Sequence, residues 1–230
     1  MKTAGIIGGV GPASTLDYYK GIIEGYRKGG GKEYPEMIVY SVNMDEMLSF
    51  VAAGDDDGLT DFLTKAFMRL KKAGADFAAI ASNTPHIVRE RLKANAPLPF
   101  IDIVDETCAY AFEKGVKRAL VLGTAFTMAS GLYSNALEAC GIKAYIPDQE
   151  GQKAVHDIIF PNLEEGIVLC EDKKKILMLS QQLLRMHNAD AIILACTELP
   201  LIIKPGDLDA IIINTAEVHI HAIIKELLKR

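Results

Sequence analysis

Short apolar runs alternate with longer amphipathic segments along the chain. The runs are apolar at nearly every position and rich in Ile, Val and Ala, which is typical of strands covered on both faces of a parallel sheet. The longer segments repeat their apolar residues with the helical period, so the pattern predicts an α/β fold. The predicted strands span residues 4–8, 36–42, 75–82, 97–101, 118–122, 143–146, 189–196 and 210–213, and the predicted helices 16–27, 59–72, 86–94, 103–114, 132–139, 155–170, 173–187 and 217–229.

Two of the apolar runs stop abruptly at polar side chains. The run that begins at Ala189 ends at the Cys-Thr-Glu sequence of residues 196–198, and the run that begins at Ala75 ends at the Ser-Asn-Thr sequence of residues 82–84. Ligands of open α/β sheets gather beyond the carboxyl ends of the strands. We therefore expect the chemistry to take place around Cys196.

These two stretches are related by an internal repeat. Ser82 and Cys196 are 114 residues apart (196 − 82), as are Gly9 and Gly123 (123 − 9). The repeat predicts two pseudo-symmetric α/β lobes, each with a mainly parallel sheet flanked by helices, and an active site in the cleft between them. Residues 1–101 with 209–230 are predicted to form the first lobe, to which the last strand and helix return, and residues 102–208 the second.

A glycine-rich turn follows the first predicted strand and precedes a helix. Unpaired amides at a helix start, together with the helix dipole, favour an anion there. The spacing of the glycines in residues 8–12 does not match the dinucleotide pattern, and no Walker lysine follows, so a carboxylate ligand fits better than a nucleotide. The threonines after Gly123 could hold a second part of the same ligand.

Composition and charge exclude several classes of protein. Of the 230 residues, 50% are hydrophobic and 24% are charged, which is ordinary for a globular protein. The net charge of −5 disfavours nucleic acid as a partner. The sequence has neither a signal peptide nor an apolar run long enough to cross a membrane, so we expect a cytoplasmic protein. The four cysteines lack the spacing of a metal site, and we expect them to be reduced.

The polar residues at the strand ends leave alternatives open. Ser82 either transfers a proton or caps the following helix. Asn83, Thr84 and Thr197 either contact the ligand or satisfy backbone groups of their own loops. Glu198 either orients the thiol or caps local amides.

The histidines near the C-terminus do not indicate a metal site. His219 and His221 are two residues apart and therefore cannot share a helix face, so we expect no metal. One of them could approach the site.

The chain resembles the aspartate/glutamate racemase superfamily, and within it the aspartate racemase branch. The resemblance runs nearly end to end. It implies two α/β lobes with the substrate between them, no cofactor, and a homodimer. The matching residues are Gly8-Gly9-Val10-Gly11-Pro12, Tyr40-Ser41-Val42-Asn43, Ser82-Asn83-Thr84-Pro85-His86, Gly123-Thr124 with Thr127 and Tyr133, and Cys196-Thr197-Glu198.

The residues and the resemblance together predict the members of an active site. Cys196 and Ser82 are the predicted catalytic pair, although most members of the superfamily have a cysteine at the position of Ser82 and one branch has a threonine. His86, Tyr133 and His219 are predicted to support the site from behind. The predicted substrate-binding residues are Gly9, Val10, Asn43, Asn83, Thr84, Thr124, Thr127, Thr197 and Glu198.

This site predicts an isomerase that works without pyridoxal phosphate, on aspartate, glutamate or a related small amino acid. Inversion at Cα needs a proton to leave one face and another to arrive at the opposite face, so two acid/base groups are required. A thiol has a pKa of about 8.5, and a modest lowering would supply a usable thiolate. The alternatives are a one-thiol decarboxylase or cis-trans isomerase, or a non-catalytic protein that binds small anions.

Overall fold

A computed structural model of the chain describes residues 2–31 and 33–229. It contains two compact units, Met1–Ile103 with Ala216–Arg230 and Val104–Thr215. The outermost residues of the predicted first lobe, 1 and 230, lie outside the described residues.

The first unit is built on a parallel sheet. Strand β1 pairs with β2 on one side and β3 on the other, and β4 pairs with β3, which gives the order β2-β1-β3-β4 among the described residues. Strands β1 and β3 are buried along their whole length because they are central, whereas the edge strand β2 is half exposed. The strands are β1 (Ala4–Gly8), β2 (Met37–Ser41), β3 (Phe77–Ile80) and β4 (Phe100–Ile101).

Alternate residues of these strands build two apolar layers. Ile6 and Ala79 pack against the helices Pro12–Lys28 and Thr215–Leu228 on one face of the sheet. Ile7 and Ile80 pack against the helices between β2 and β4 on the other face. The helices of this unit are α1 (Pro12–Lys28), α2 (Met44–Ala53), α3 (Asp56–Lys72), α4 (Arg89–Asn95) and α11 (Thr215–Leu228), together with a 3₁₀ turn at Thr84–Val88.

The second unit repeats this topology. Its strands are also parallel and follow the order β6-β5-β7-β8 in the described residues, with β5 and β7 in the centre. The central strand β7 is fully buried because helices cover the sheet. The strands are β5 (Arg118–Gly123), β6 (Lys143–Tyr145), β7 (Ala191–Ala195) and β8 (Ile211–Asn214).

One face of the second sheet carries a large apolar cluster. Leu120, Leu122, Ile192 and Leu194 point into it and meet side chains from the helices that follow β6 and β7. The same cluster contains residues on both sides of the strand end that carries Cys196. The helices of this unit are α5 (Ile103–Glu113), α6 (Ala125–Ala129), α7 (Leu132–Ala139), α8 (Gln149–Ile158), α9 (Cys170–His187) and α10 (Leu199–Ile202), with a π turn at Ile159–Leu163.

Equivalent aspartates join the strands at the amino ends of both sheets. The Asp76 carboxylate accepts a hydrogen bond from the Thr3 amide at 2.7 Å. Asp190 accepts from the amides of Lys117 and Arg118 at 3.1–3.2 Å. Asp76 and Asp190 are related by the same 114-residue separation as Ser82 and Cys196. The repeat therefore preserves this contact as well as the order of the strands.

The structure corrects the predicted boundary of the first lobe. The last strand was expected to return to the first lobe, but β8 pairs with β7 in the second sheet, through Ile192 and Ile212 among others. The unit boundary therefore falls at Ala216 rather than at residue 209. Strand β7 pairs with β5 on one side, and its backbone hydrogen-bonding groups on the other side pair with β8. The sequence pattern of β8 alone did not specify this partner.

The helices also differ from the prediction, which did not include α2, α6 or α10. Helix α2 was not predicted, although Asn43 caps it and Gly54 ends it in the left-handed conformation. The segment 155–170 was predicted to be one bent helix, but α8 ends at Ile158 and the π turn follows. Pro161 has no amide hydrogen to continue a helical ladder, so the helix ends near it. Among the described residues, no helix has both the length and the apolar character needed to cross a membrane.

The central position of β7 predicts a large effect of truncation there. Ile192→Ala should lower the free energy of unfolding by about 2–5 kcal/mol, because it removes buried methyl groups and leaves a cavity. Denaturant unfolding followed by circular dichroism measures this. Ile211→Ala on the edge strand β8, where the side chain is 38% exposed, is the matched control and should cost much less. Equal losses would contradict the central position of β7.

Candidate active site

The reactive thiol lies where β7 ends. Cys196 directly follows the buried strand and is 7% exposed. Its Sγ–H donates a hydrogen bond to Oε2 of Glu198 over 2.9 Å. The Thr197 hydroxyl donates to Oε1 of the same carboxylate over 2.8 Å. Glu198 is thereby held by the two residues before it, with one oxygen on the thiol and one on the hydroxyl.

This environment keeps the thiol protonated. Burial raises the pKa of Cys196 well above its usual range, and the charge and hydrogen bond of Glu198 raise it further. The amides of Glu198 and Leu199 act in the opposite direction but do not prevail. The expectation of a lowered pKa was therefore wrong, because the nearest charge is a carboxylate rather than a cation. The resting pair is a thiol and a carboxylate.

A second carboxyl group lies in the same region. Glu164 follows the π turn, which packs against α10, and Glu198 directly precedes α10. Leu163 and Leu199, their neighbours in sequence, belong to one apolar cluster. Burial raises the pKa of Glu164, and the charges of Glu198 and Glu165 add to this. Within the described residues the Glu164 side chain has no hydrogen-bond or ion-pair partner.

The equivalent strand end of the first unit carries hydroxyl groups instead. Ser82 lies just beyond β3 and is 9% exposed, and Asn83 is 5% exposed. Asn83 precedes the 3₁₀ turn without a capping side-chain hydrogen bond, and in the described part of the chain no residue bonds to the Ser82 hydroxyl. By the repeat, Thr84 stands where Glu198 stands. Among the described residues, no carboxylate therefore bonds to the Ser82 hydroxyl as Glu198 bonds to the Cys196 thiol.

The glycine turn after β1 has a fixed shape. Gly9 has φ of 87°, and a side chain there would collide with Ser41 and with the backbone of Val42. The Gly9 amide donates to the Thr15 hydroxyl at 2.9 Å, so this donor is already used. Val10 is 8% exposed. Helix α1 begins at Pro12 without a side-chain cap, which leaves its first amides as candidate donors to an anion.

Of the predicted substrate-binding residues, Asn43 and Thr124 cap helices, and Thr127 is buried next to Thr124. Asn43 Oδ1 accepts from the amides of Asp45 and Glu46, at 3.0 and 3.2 Å. Thr124 caps α6 by accepting from the Thr127 amide at 3.2 Å, and their hydroxyls are 3.0 Å apart. Thr127 is only 2% exposed, so its hydroxyl supports that of Thr124 from below.

Two fully buried histidines lie behind Ser82 in the first unit. Both ring nitrogens of His219 make hydrogen bonds. Nδ1 lies 2.8 Å from the Tyr18 hydroxyl oxygen, and Nε2 lies 2.9 Å from the Ile101 carbonyl oxygen. Since a carbonyl only accepts, His219 carries its proton on Nε2 and Tyr18 donates to Nδ1. Burial lowers the pKa of His219 to about 3, and the nearby His86 contributes. His219 is therefore neutral.

His86 has no comparable partners. Its ring stacks on Phe100 with centroids 5.4 Å apart and lies edge-on to His219 at 6.2 Å. Neither ring nitrogen meets strict hydrogen-bond geometry within the described residues, although the backbone groups of Ser82 and Asn83 lie near enough to favour the protonated ring. Burial lowers its pKa, although the charge of Asp102 opposes this. Tyr133, the third predicted supporting residue, is fully buried in the second unit.

A buried carboxylate completes this part of the first unit. Asp102 is 3% exposed and forms ion pairs with Arg89 at 2.8 Å and with Lys93 at 3.2 Å. Burial opposes its ionisation, but the charges of His86, Arg89 and Lys93 lower its pKa to about 2. No group of three His, Cys, Asp or Glu residues in the described chain is arranged to hold a metal ion.

Sequence reasoning missed Glu164, Tyr18 and Asp102. Tyr18 could have been found from the helical spacing of the apolar side of α1, which it shares with Ile22. Asp102 follows the short strand β4, and a carboxylate directly after an apolar run is a weak indication of a functional residue. Glu164 had none, because its place beside Glu198 depends on how the π turn packs.

The fold and the site define the class of protein. Each unit is a parallel α/β sheet with polar side chains at the carboxyl ends of its central strands, and one end carries a thiol–carboxylate pair suited to proton transfer. The chain belongs to the Asp/Glu/Hydantoin racemase family, whose model matches residues 7–223.

Individual relatives agree with this assignment. The broad specificity amino-acid racemase RacX of Bacillus subtilis (strain 168) is 29% identical over 201 residues, which cover 85% of each chain. A crystal structure of an aspartate racemase homologue from Pyrococcus horikoshii OT3 has a TM-score of 0.89 and 35% identity over 100% of both chains. The aspartate racemase of Picrophilus torridus has a TM-score of 0.77 and 25% identity, covering 100% of this chain and 96% of that one.

The Cys196–Glu198 contact predicts how the thiol reacts. Alkylation of Cys196 by iodoacetamide should become fast only at alkaline pH, and Glu198→Gln should shift this rise to lower pH, because it removes the negative charge that opposes the thiolate. Mass spectrometry of the Cys196 peptide measures the rate. The exposed Cys140 and Cys170 serve as internal standards. A pH profile that Glu198→Gln leaves unchanged would contradict the contact.

The buried histidine predicts acid sensitivity of the fold. His219 has a pKa of about 3 in the folded chain against 6.5 when unperturbed, so protons bind preferentially to the unfolded chain below about pH 6.5 and stability falls as the pH drops. In His219→Asn this dependence should be weaker, by at most about 1.4 kcal/mol per pH unit. Urea unfolding between pH 7.5 and 4.5 tests it, with His221→Asn as control. Identical slopes in the wild type and His219→Asn would count against burial of a neutral ring.

Proposed function

We propose that this protein is an amino-acid racemase that inverts Cα without a cofactor, by removing a proton from one face and returning one to the other. The observation that carries the proposal is the hydrogen bond between the Cys196 thiol and the Glu198 carboxylate at the end of β7. Membership of the racemase family supports it. RacX and the P. torridus enzyme are themselves named as racemases.

Glu198 is the group that converts the thiol into a base. It accepts the Sγ proton, which leaves a thiolate on Cys196 and a neutral carboxylic acid on Glu198. The thiolate then takes the proton from Cα, and the resulting carbanion passes negative charge onto the substrate carboxylate. Amides at helix starts and the hydroxyl of Thr124 are suited to stabilise that charge. In the reverse direction the thiol delivers the proton.

Ser82, or a water molecule that it holds, gives a proton to the opposite face of Cα. Solvent then returns a proton to that hydroxyl and takes one from Glu198, which restores the resting carboxylate. A hydroxyl is a much weaker acid than a thiol, and the described residues place no base on Ser82. The two faces of the substrate therefore meet groups of unequal strength. We expect one enantiomer to lose its Cα proton faster than the other, and exchange with solvent to be faster than inversion.

Racemisation is favoured over the alternatives by the relatives. A decarboxylase or a cis-trans isomerase would need only the thiol, and a binding protein would need neither group. The hydrogen-bonded carboxylate gives the thiol a proton acceptor, which a binding role does not require. The relatives described above are racemases or racemase homologues.

We also propose that the protein acts in the cytoplasm as a homodimer. The resemblance to the superfamily supports the dimer, and a composition of 50% hydrophobic and 24% charged residues, which is ordinary for a cytosolic-type protein, supports the location. Sedimentation velocity of the purified chain measures its mass directly, against 25.0 kDa for the monomer.

The difference in acid strength between the Cys196 thiol and the Ser82 hydroxyl predicts different effects of substituting each residue. In deuterium oxide, proton NMR should show loss of the Cα signal with the wild type, and chiral chromatography should show slower inversion. Cys196→Ala should lower both rates at least about 100-fold because it removes the proton-transfer group. Ser82→Ala should reduce inversion more than exchange, and Ser82→Cys should raise inversion. Full activity in Cys196→Ala would overturn the proposal.

A further inference from the structure

A substrate of either unit would bind at the carboxyl ends of the strands, and the segments of sequence that directly follow the described strands contain no Lys or Arg. The six residues that follow each described strand include no Lys or Arg, although the chain has 25 of them. Carboxylates are frequent in the same segments, partly because they favour helix starts. The acidic residues among them are Asp45, Glu46, Asp102, Asp105, Glu106, Asp148, Glu150, Glu198 and Glu217.

The basic side chains near these strand ends lie in the first unit. Arg89 and Lys93, which come soon after the Ser82 loop, pair with the buried Asp102. Arg69 hydrogen-bonds to the Tyr40 hydroxyl and lies over its ring. Arg69 keeps its positive charge, and together with Lys65 it lines a cavity beside Asn43 at the end of β2. The α-carboxylate that every amino acid carries can bind to such cations or to helix-start amides. In the second unit, where Cys196 lies, no Lys or Arg is found in the six residues after any described strand.

The region of the thiol in the second unit is negative. Glu198 bonds to Cys196, and Glu164 lies close to Glu198 across the contact between the π turn and α10. Glu164 is partly buried and has no partner among the described residues. A partly buried carboxylate without a partner is stabilised by a cation and destabilised by a second anion.

We propose that the substrate is an amino acid whose side chain is neutral or cationic, and that Glu164 is the residue that selects against an acidic side chain. The proposal rests on the proposed racemase function and narrows its substrate class. A side-chain ammonium or amide would face Glu164 favourably. A side-chain carboxylate, as in aspartate or glutamate, would meet the like charge of Glu164 there.

Pairs of substrates that differ by one charge at nearly constant shape test this. Deuterium exchange and inversion would be measured for glutamate against glutamine and aspartate against asparagine, with lysine as the cationic substrate. We expect kcat/KM to be higher for each amide than for its acid, and lysine to be at least as good as glutamine. Acids that react as well as or better than their amides would overturn the proposal.

A matched pair of variants isolates Glu164. Glu164→Gln should raise kcat/KM for glutamate relative to glutamine about threefold to tenfold, because it removes one like charge. Glu138→Gln makes the same change at an exposed position of the same unit and should leave the ratio unchanged. An unchanged ratio in Glu164→Gln would overturn its role as the selecting residue.

Calorimetric titration separates this inference from the proposed function. If no amino acid is turned over but glutamine binds more tightly than glutamate, racemisation is overturned and the selection by charge is supported. If glutamate binds more tightly without turnover, or if neither binds, both are overturned.

Discussion

The hydrogen bond between Cys196 and Glu198 depends on how firmly the core holds the backbone on either side of it. Strand β7 is buried along its whole length up to Ala195, and Leu199 is buried just beyond the carboxylate. The Leu199 amide also bonds back to the Cys196 carbonyl at 3.3 Å. Three residues are therefore confined between two core anchors. Because the turn is so short, a thiol and a carboxylate that are two residues apart are brought into contact.

This contact decides the electrostatics of the second unit. A thiol beside a cation would rest as a thiolate, but beside Glu198 it rests as a thiol and needs that carboxylate as its proton acceptor. The same negative charge acts on Glu164 and raises its pKa together with burial. One short turn thus sets both the acid/base chemistry and the sign of the field that a substrate would meet there.

The two units show how one scaffold carries unequal chemistry. They share strand order, the aspartate contact at the amino ends of the sheets, and the position of a polar turn after the third strand in each unit. In that turn Cys196 and Glu198 correspond to Ser82 and Thr84. The substitution replaces a thiol and a carboxylate with two hydroxyls, while neutral histidines are buried behind them. The fold is preserved because strand burial does not depend on the residue just past the strand end.

The sequence by itself determined the parallel sheets, because strands buried on both faces must be apolar throughout. It also located Ser82 and Cys196, because polar residues that end such apolar runs lie at the carboxyl ends of the strands. It did not place β8 correctly or identify α2, since four apolar residues fit either sheet and a ten-residue helix leaves a weak periodic signal. Only the tertiary structure decided that Tyr18 meets His219, 201 residues away, and that Glu164 lies near Glu198. The raised pKa of Cys196 likewise followed from burial and from a side-chain direction. Local pattern specifies which residues are buried, whereas the charge that a buried group experiences is set by neighbours brought together only when the chain folds.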